Sequence, residues 1–283
     1  DVTDEALEWF DDHAGRSDPD PFLLWVHYVE PHAPYRFHKE YADRLGITDR
    51  DPRRSERYDT EVAAVDRAVD RLMKGIEAKV PAGEMILVFG ADHGESLGEH
   101  NYWGHGRFLY EPSLRIPLGI RWPGTVEDAV IEEQASILDI APTILDLLDE
   151  EAPESFVGLS WAAAITGGEV PAERALCYQA HKGAVLGEHD DDRKRSKGLL
   201  SVGVVEGDSK EILRVKNNSH MLFDLEADAG ELDNLIQANG PPSDVLLECL
   251  GTISEGLGAL DRLTSKKLDD ETIEQLKALG YIE

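Results

Sequence analysis

Short apolar runs and segments with helical spacing alternate along the first half of the chain. Residues 2–13 have the pattern expected for the end of a helix, and the apolar run Phe22–Val29 is typical of a strand buried on both faces of a sheet. Apolar residues recur at helical spacing from Tyr58 to Lys79, and Met85–Phe89 again indicates a buried strand. This alternation predicts an α/β fold with a mostly parallel sheet.

The same half ends with a further strand and helix, predicted at residues 116–122 and 141–151. Residues 30–55 are rich in Pro, Arg and Asp and predict an irregular loop. In parallel sheets, ligands bind beyond the carboxyl ends of the strands. Polar residues that directly follow the predicted strands are therefore the first candidates for a functional site.

After residue 165 the pattern changes to short strands separated by turns, which predicts a small antiparallel sheet. Helices are expected at residues 242–263 and 270–279. We divide the chain into an α/β core portion, residues 1–165, and a small α+β subdomain, residues 166–283, that packs on it. The predicted strands are Ala175–Ala180, Leu199–Val205, Glu211–Lys216 and Met221–Leu225.

The composition is strongly acidic, with 57 acidic and 28 basic residues and a net charge of −29. Nucleic acids and anionic membrane surfaces would repel such a chain, so neither is expected as a partner. No apolar run is long enough to cross a membrane. Because the acids are spread along the sequence, we expect adaptation to high salt, which screens self-repulsion. A salty cytoplasm is the expected location, with an extracellular one as the alternative.

The chain has two cysteines, Cys177 and Cys249, and their spacing matches neither a metal site nor a redox motif. Two thiols in a chain of 283 residues do not form a disulfide framework. We therefore expect both to be free.

Asp92 and His93 follow the predicted strand Met85–Phe89 and lie between two glycines that permit a sharp turn. A carboxylate and an imidazole that meet at one point suit a divalent cation. The imidazole favours an ion such as zinc or manganese, whereas calcium would need further carboxylates. The alternative is an Asp that caps a helix with a His packed beside it. His100 and His105, close by in the sequence, favour a functional site.

His32 lies just beyond the predicted strand Phe22–Val29, between Pro31 and Pro34. An imidazole on a stiff loop can contact an anionic substrate or protonate a leaving group. His27, inside the apolar run, has the pattern of a core histidine. No Gly-x-Ser-x-Gly elbow, Walker loop or Rossmann fingerprint occurs, so these patterns identify neither a nucleophile nor the remaining metal ligands.

The chain resembles the sulfatases of the alkaline phosphatase superfamily in ordered stretches from its beginning to its end. The most specific stretch is VFGADHGESLGEHNYWGHGRFLYEPSLRIPLGIRWPG, which is similar to the metal-binding segment of the family. The other stretches are PFLLWVHYVEPHAPY, YDTEVAAVDRAVDRLM, ILDIAPTILDLL with FVGLSW, and SHMLFDLEADAGELDNL with LKALGYI. The resemblance implies an alkaline-phosphatase-like αβα sandwich with a small C-terminal subdomain.

By this resemblance, Asp92 and His93 correspond to two metal ligands, with His93 where many members have Asn. His32 corresponds to a histidine that contacts substrate, and His105 stands where many members have a lysine that binds sulfate. Both histidines are candidates for catalysis and substrate binding. Calcium is the usual ion of the family, and His93 leaves manganese or zinc open.

The family's nucleophile is a formylglycine made from the Cys or Ser of a Cys-or-Ser-x-Pro-x-Arg motif, which this chain lacks. We expect that motif, two further Asp ligands and any signal peptide upstream of Asp1. The chain by itself is then expected to be inactive.

The resemblance implies a metal-dependent sulfuric ester hydrolase that acts on a small-molecule or saccharide sulfate ester. One alternative is a phosphodiester or phosphonate ester hydrolase, or a phosphoethanolamine transferase, on the same fold. Another is a non-catalytic protein that binds metal or anions. The oligomeric state is left open by the sequence.

Overall fold

A computed structural model describes residues 1–17, 20–181, 199–215, 217, 219–236 and 241–263. The chain forms two compact units. The first contains residues 1–87 and 120–125, and the second contains residues 88–119 and 126–283. The division proposed at residue 165 stays a prediction.

Two helices form the core of the first unit, α1 (Val2–Ala14) and α3 (Arg54–Glu77). Helix α1 begins at a capping box in which the side chain of Asp1 accepts the backbone N–H of Asp4 at 2.8 Å. The two helices bury an apolar contact between them, which matches the helical periodicity of the sequence. Its buried members are Ala6, Phe10, Leu72 and Ile76.

The segment Phe22–Val29 is extended but joins no strand ladder among the described residues, so the strand predicted there is wrong. Phe22, Leu24 and Val26 pack against the α1–α3 core. Leu23 and Trp25, on the other side, are 84% and 83% exposed. The continuous apolar run made both faces look buried, whereas one face alone has a neighbour in the described chain.

Residues 30–53 are irregular, as predicted, apart from the short helix α2 (Lys39–Ala42). Helix α3 begins before the predicted Tyr58. Its first turn is stabilised by Glu56, whose carboxylate accepts the backbone N–H of Arg53 at 2.6 Å. Charged residues that cap a helix carry no apolar periodicity, so the pattern placed this start too late.

Two strands predicted from apolar runs are present in shorter form, β1 (Leu87–Gly90) and β4 (Leu118–Arg121), which are neighbours in a two-stranded sheet. Between them the chain forms an antiparallel pair, β2 (Ser96–Leu97) with β3 (Trp103–Gly104), and the short helix α4 (Glu111–Leu114). The pattern did not predict these three elements because each is only a few residues long.

A four-stranded antiparallel sheet dominates the second unit, as predicted, and its strands are neighbours in chain order. The long helix α7 (Asp244–Leu263) packs on the sheet through Leu246 and Cys249, beside Val202 and Val204. Leu109 and Phe223 belong to a separate apolar cluster of the same unit. The strands are β5 (Leu176–His181), β6 (Leu199–Glu206), β7 (Ser209–Arg214) and β8 (Ser219–Asp224).

Cys177 and Cys249 form a disulfide, so the expectation that both are free is wrong. Cys177 lies on β5 and Cys249 on α7, and their Cα atoms are 5.6 Å apart although 72 positions separate them in the sequence. This distance is typical of a disulfide. Sequence spacing could not show it, because only the packing of α7 on the sheet brings the two residues together.

The helix predicted at 141–151 is present as α5 (Ile140–Leu147), and the short helix α6 (Ala162–Ile165) follows it. The helix predicted at 270–279 lies outside the described residues. Within the described part of the chain, no helix is both long and apolar enough to span a bilayer. The mixture of helices and sheets agrees with the α/β class inferred from the sequence.

Candidate functional site

Asp92 and His93 lie in the turn that follows β1, where the sequence predicted a metal-binding pair. One carboxylate oxygen of Asp92, Oδ1, accepts the backbone N–H of His93 at 3.0 Å, and the other, Oδ2, lies 3.6 Å from Nε2 of the same histidine. Nδ1 of His93 is 2.8 Å from the carbonyl oxygen of Gly94. Both side chains are solvent-exposed. The pair therefore presents an oxygen and a nitrogen side by side at the surface.

Gly94 fixes the backbone beneath this pair. Its N–H donates to the carbonyl oxygen of Ser113 at 2.9 Å. A Cβ atom at this position would lie 2.2 Å from the carbonyl oxygen of Pro112, far inside van der Waals contact. Only glycine allows so close an approach of the turn to α4.

His105 reaches the same place from the other side of the β2–β3 pair. Ser96 pairs with Gly104, so Glu95 and His105 flank the same end of the hairpin. Gly104 has φ +116°, a conformation that favours glycine and lets the chain turn out of β3. The hydroxyl of Tyr102 donates to the carbonyl oxygen of His105 at 2.6 Å and holds its backbone. Burial raises the pKa of Tyr102, which keeps that hydroxyl a donor.

The imidazole rings of His93 and His105 are stacked, with centroids 3.8 Å apart and planes inclined by 25°. Oε1 of Glu95 lies 3.3 Å from Nδ1 of His105, and the Glu95 side chain is only 7% exposed. Asp92, His93, Glu95 and His105 thus form one cluster, which we call the DHGE cluster. It combines two carboxylates with two imidazoles on a backbone held by glycines.

The DHGE cluster fits part of a divalent-cation site. Carboxylate oxygen and imidazole nitrogen are ligands that zinc, manganese and related ions accept. Within the ranges that the structure describes, no set of three or more His, Cys, Asp or Glu side chains has the arrangement of a complete metal site. Asp92 and His93 could therefore supply some ligands of a cation, but not all of them.

His32 belongs to the first unit and lies on the exposed loop after Phe22–Val29, with Nδ1 2.7 Å from the carbonyl oxygen of Ala33. His32 and the DHGE cluster thus belong to different units of the chain. His27, expected to be a core histidine, is half-buried in the preceding extended segment.

Helix α3 anchors the chain just after His32. Oε1 of Glu61 accepts the backbone N–H of Arg36 at 2.8 Å, and Oγ1 of Thr60 accepts that of His38 at 3.1 Å. Glu61 is almost fully buried, and burial raises the pKa of its carboxyl group. These two adjacent residues give the irregular loop a fixed backbone at one end.

Sequence reasoning missed Glu95, Thr60 and Glu61 as supports of the candidate residues. The signal for Glu95 was present, because two short β-type segments around a turn would place positions 95 and 105 opposite each other. Thr60 and Glu61 gave no such signal, since polar residues on a helix ordinarily face solvent.

Comparison with known proteins gives two family matches, each over more than half of the chain. The model described as Sulfatase matches residues 1–150, and the model described as N-sulphoglucosamine sulphohydrolase, C-terminal, matches residues 98–245. The second match begins inside the segment that holds the DHGE cluster.

Among curated proteins, an N-acetylglucosamine-6-O-sulfatase of Bacteroides thetaiotaomicron is 30% identical over 182 residues, which are 63% of this chain and 31% of that protein. An arylsulfatase of Clostridium perfringens is 26% identical over 274 residues, covering 84% of this chain and 53% of that protein. The chain thus spans about a third of the length of the first relative and about half of the length of the second.

Solved structures agree on the fold. A Bacteroides thetaiotaomicron protein, described in connection with glycosaminoglycan metabolism, aligns with a TM-score of 0.68 at 20% identity, over 90% of this chain and 56% of that one. The phosphonate monoester hydrolase of Silicibacter pomeroyi aligns with a TM-score of 0.61 at 20% identity, over 95% and 60% of the two chains. The fold is therefore the one shared by sulfatases and phosphonate hydrolases of the alkaline phosphatase superfamily.

Proposed function

Because the chain belongs to the sulfatase family, we propose that the protein hydrolyses sulfuric esters with the help of a divalent cation. The observation that supports this most directly is the DHGE cluster, in which Asp92, His93 and His105 meet on a backbone held by glycines. Sulfate esters are anionic at all ordinary pH values. Because the chain as a whole is acidic, a site for these anions needs its own cationic or hydrogen-donating groups. A bound cation would supply positive charge, and the imidazoles would donate hydrogen bonds.

In this proposal Asp92 and His93 are two of the cation's ligands. A bound cation supplies Lewis-acid chemistry, which neutralises charge on sulfate oxygens. His105 binds a non-bridging oxygen of the sulfate group. His32 contacts the substrate and can protonate the departing alkoxide, the role of a general acid.

The nucleophile of the proposed reaction lies outside these 283 residues, since no Cys-or-Ser-x-Pro-x-Arg motif occurs among them. We propose a formylglycine for it, as the family implies. For the cation we propose calcium, with manganese and zinc as the ions to test against it. His93 gives the site a nitrogen ligand, which those two ions accept more readily than calcium does.

Sulfated saccharides are the proposed substrate class. The N-acetylglucosamine-6-O-sulfatase and an endo-4-O-sulfatase of Bacteroides thetaiotaomicron are named for such groups, and both are similar to this chain. A choline-sulfatase of Rhizobium meliloti is also similar, so a small sulfate ester is the second substrate to test. Nucleic acid is not proposed as a partner, given the net charge of −29.

Phosphonate ester hydrolysis is the second candidate function. It is favoured by the structural alignment with phosphonate monoester hydrolases from Silicibacter pomeroyi and Agrobacterium radiobacter. Phosphodiester hydrolysis and phosphoethanolamine transfer would use the same groups. A phosphonate monoester and a sulfate ester carry similar charge, so the fold alone does not separate the two chemistries.

The two candidates are separated by the rates at which the purified, complete enzyme turns over matched aryl esters. The substrates are p-nitrophenyl sulfate, p-nitrophenyl phenylphosphonate and bis-p-nitrophenyl phosphate, each assayed with and without a chelator. We expect kcat/KM for the sulfate to exceed the other two values, and activity to be lost on chelation and restored by a divalent cation. A higher kcat/KM for the phosphonate would contradict sulfate ester hydrolysis as the main activity and support phosphonate ester hydrolysis instead.

A further inference from the structure

A buried carboxylate lies against the candidate sulfate-binding histidine. Oε1 of Glu95 is 3.3 Å from Nδ1 of His105, and the Glu95 side chain is 7% exposed against 27% for His105. Most glutamates on a protein surface extend into water. Glu95 is instead held between the turn that follows β1 and the end of the β2–β3 hairpin.

The hairpin register makes this contact specific. Because Ser96 pairs with Gly104, residues 95 and 105 lie opposite each other just beyond the end of this two-pair ladder. Ser96 is buried and its hydroxyl lies 3.2 Å from that of Ser113, which secures the Glu95 side of the hairpin. The Tyr102 hydroxyl secures the His105 side through the carbonyl oxygen of that residue.

The contact restricts the chemistry of the imidazole. An ionised carboxylate can only accept hydrogen bonds, so Nδ1 of His105 then carries the proton that it donates. The nitrogen that acts on substrate is consequently Nε2. Carboxylates that orient histidines in this way fix both the tautomer and the ring plane, and their loss affects function although they do not touch the substrate.

We propose that Glu95 is a positioning residue for His105: it holds the ring in the Nδ1–H tautomer, stacked on His93, so that Nε2 meets a non-bridging oxygen of the substrate. The inference rests on the proposed function of His105. The stacking distance of 3.8 Å between the two rings gives the ring plane a second constraint, because a His105 ring turned out of this plane would lose that contact.

The tautomer can be observed directly by long-range ¹⁵N–¹H correlation on the complete, histidine-labelled enzyme, at a pH where the imidazole is neutral. We expect the Nδ1–H form of His105 in the wild type and in E95Q, whose amide oxygen can still accept the proton. We expect a mixture of tautomers in E95A. An Nε2–H form in the wild type would overturn the proposal, and this test needs neither activity nor a variant.

A double-mutant cycle tests the functional consequence. E95A should lower kcat/KM for an aryl sulfate by about 10- to 100-fold, the range found for carboxylates that orient metal-ligating histidines. E95Q should retain most of the activity, and E95A should add no further loss in an H105A background. If E95A lowered kcat/KM as much in the H105A background as in the wild type, the proposed role would be contradicted. Wild-type kinetics in a folded E95A would contradict it too.

A second buried carboxylate–histidine pair provides the matched control. Oε2 of Glu211 is 2.8 Å from Nε2 of His220, on the β7–β8 pair of the small sheet. E211Q should leave kcat/KM unchanged. If the wild type hydrolyses no sulfate ester, the proposed function fails, while the tautomer still decides whether Glu95 orients His105.

Discussion

His93 and His105 stack face to face with ring centroids 3.8 Å apart, although one follows β1 and the other follows β3. Two imidazoles at this distance would repel each other if both were charged. Nearby carboxylates, Asp92 at 3.6 Å from His93 and Glu95 at 3.3 Å from His105, offset that repulsion. Since the two carboxylates balance the two rings, a bound cation would supply the positive charge that an anionic substrate needs in a chain that is acidic as a whole.

The buried Glu61 makes stability depend on pH. Burial raises its pKa, so its favourable contribution is complete below pH 4.5, the ordinary value, and is lost as pH rises through the folded-state pKa. E61Q keeps an oxygen for the N–H of Arg36 and removes the charge. We expect E61Q to be more stable than the wild type at neutral pH, with the difference vanishing in acid, as measured by urea unfolding across pH.

Glu56 on the same helix is the control for that measurement. Its pKa is lowered by hydrogen bonds from Arg53, so its contribution is present above its ordinary pKa and lost as pH falls. E56Q should therefore be less stable than the wild type at neutral pH. Equal pH profiles for E61Q and the wild type would show that the Glu61 carboxyl group is not buried as described.

The side chain of Asp139, at the start of α5, forms an ion pair with Arg174, which lies just before the small sheet in the sequence. Burial disfavours its charge, but hydrogen bonds from Arg174, two backbone N–H groups and Trp161 outweigh this and lower its pKa. D139N should cost about 3–5 kcal/mol at neutral pH, as expected when one partner of a buried ion pair is removed. The loss should shrink as pH falls below 3.8 towards the folded-state pKa of Asp139.

Adding R174M to D139N tests whether the lost charge pairing causes the damage. The double variant should regain part of the stability, because no unpaired guanidinium is left beside the substituted residue. Thermal unfolding of the four proteins of the cycle measures this coupling. Additive losses would contradict the assignment of Asp139 and Arg174 as one interacting pair.

The disulfide between Cys177 and Cys249 ties α7 to the sheet. Reduction, or the C177S/C249S double substitution, should lower the stability of the chain by about 2–5 kcal/mol. Reductant should have no effect on the double variant, which separates loss of the disulfide from other effects of thiols. The disulfide favours the extracellular alternative over the cytoplasm, and we propose an oxidising compartment for the protein, since such bonds persist there. Two titratable thiols in protein from its source would contradict that location.

The net charge of −29 predicts that stability rises with salt. Screening shortens the Debye length from about 10 Å at 0.1 M to about 3 Å at 1 M, which weakens repulsion among the acids. The Tm should therefore increase steeply with potassium chloride. An uncharged osmolyte at the same osmolality is the control, and a Tm that responds equally to both would argue against salt adaptation.

The sequence predicted those parts of the fold whose pattern repeats over many residues. Helices α1 and α3 and strands β5 to β8 were predicted within a few residues, because their apolar residues recur at helical spacing or form short runs bounded by turns. Phe22–Val29 was wrong because a continuous apolar run does not reveal which side has a neighbour. The disulfide and the Glu95–His105 contact depend on tertiary packing and on a two-residue strand register, which periodicity cannot show.

The proposed function requires that the Asp92–His93 pair holds a cation on which sulfate ester hydrolysis depends. The most direct test measures bound metal and aryl sulfate turnover together in the complete enzyme, for the wild type, D92A and the exposed control D128A. We expect D92A to lose both the metal and turnover, and D128A to retain both. Wild-type turnover and metal content in D92A would contradict it.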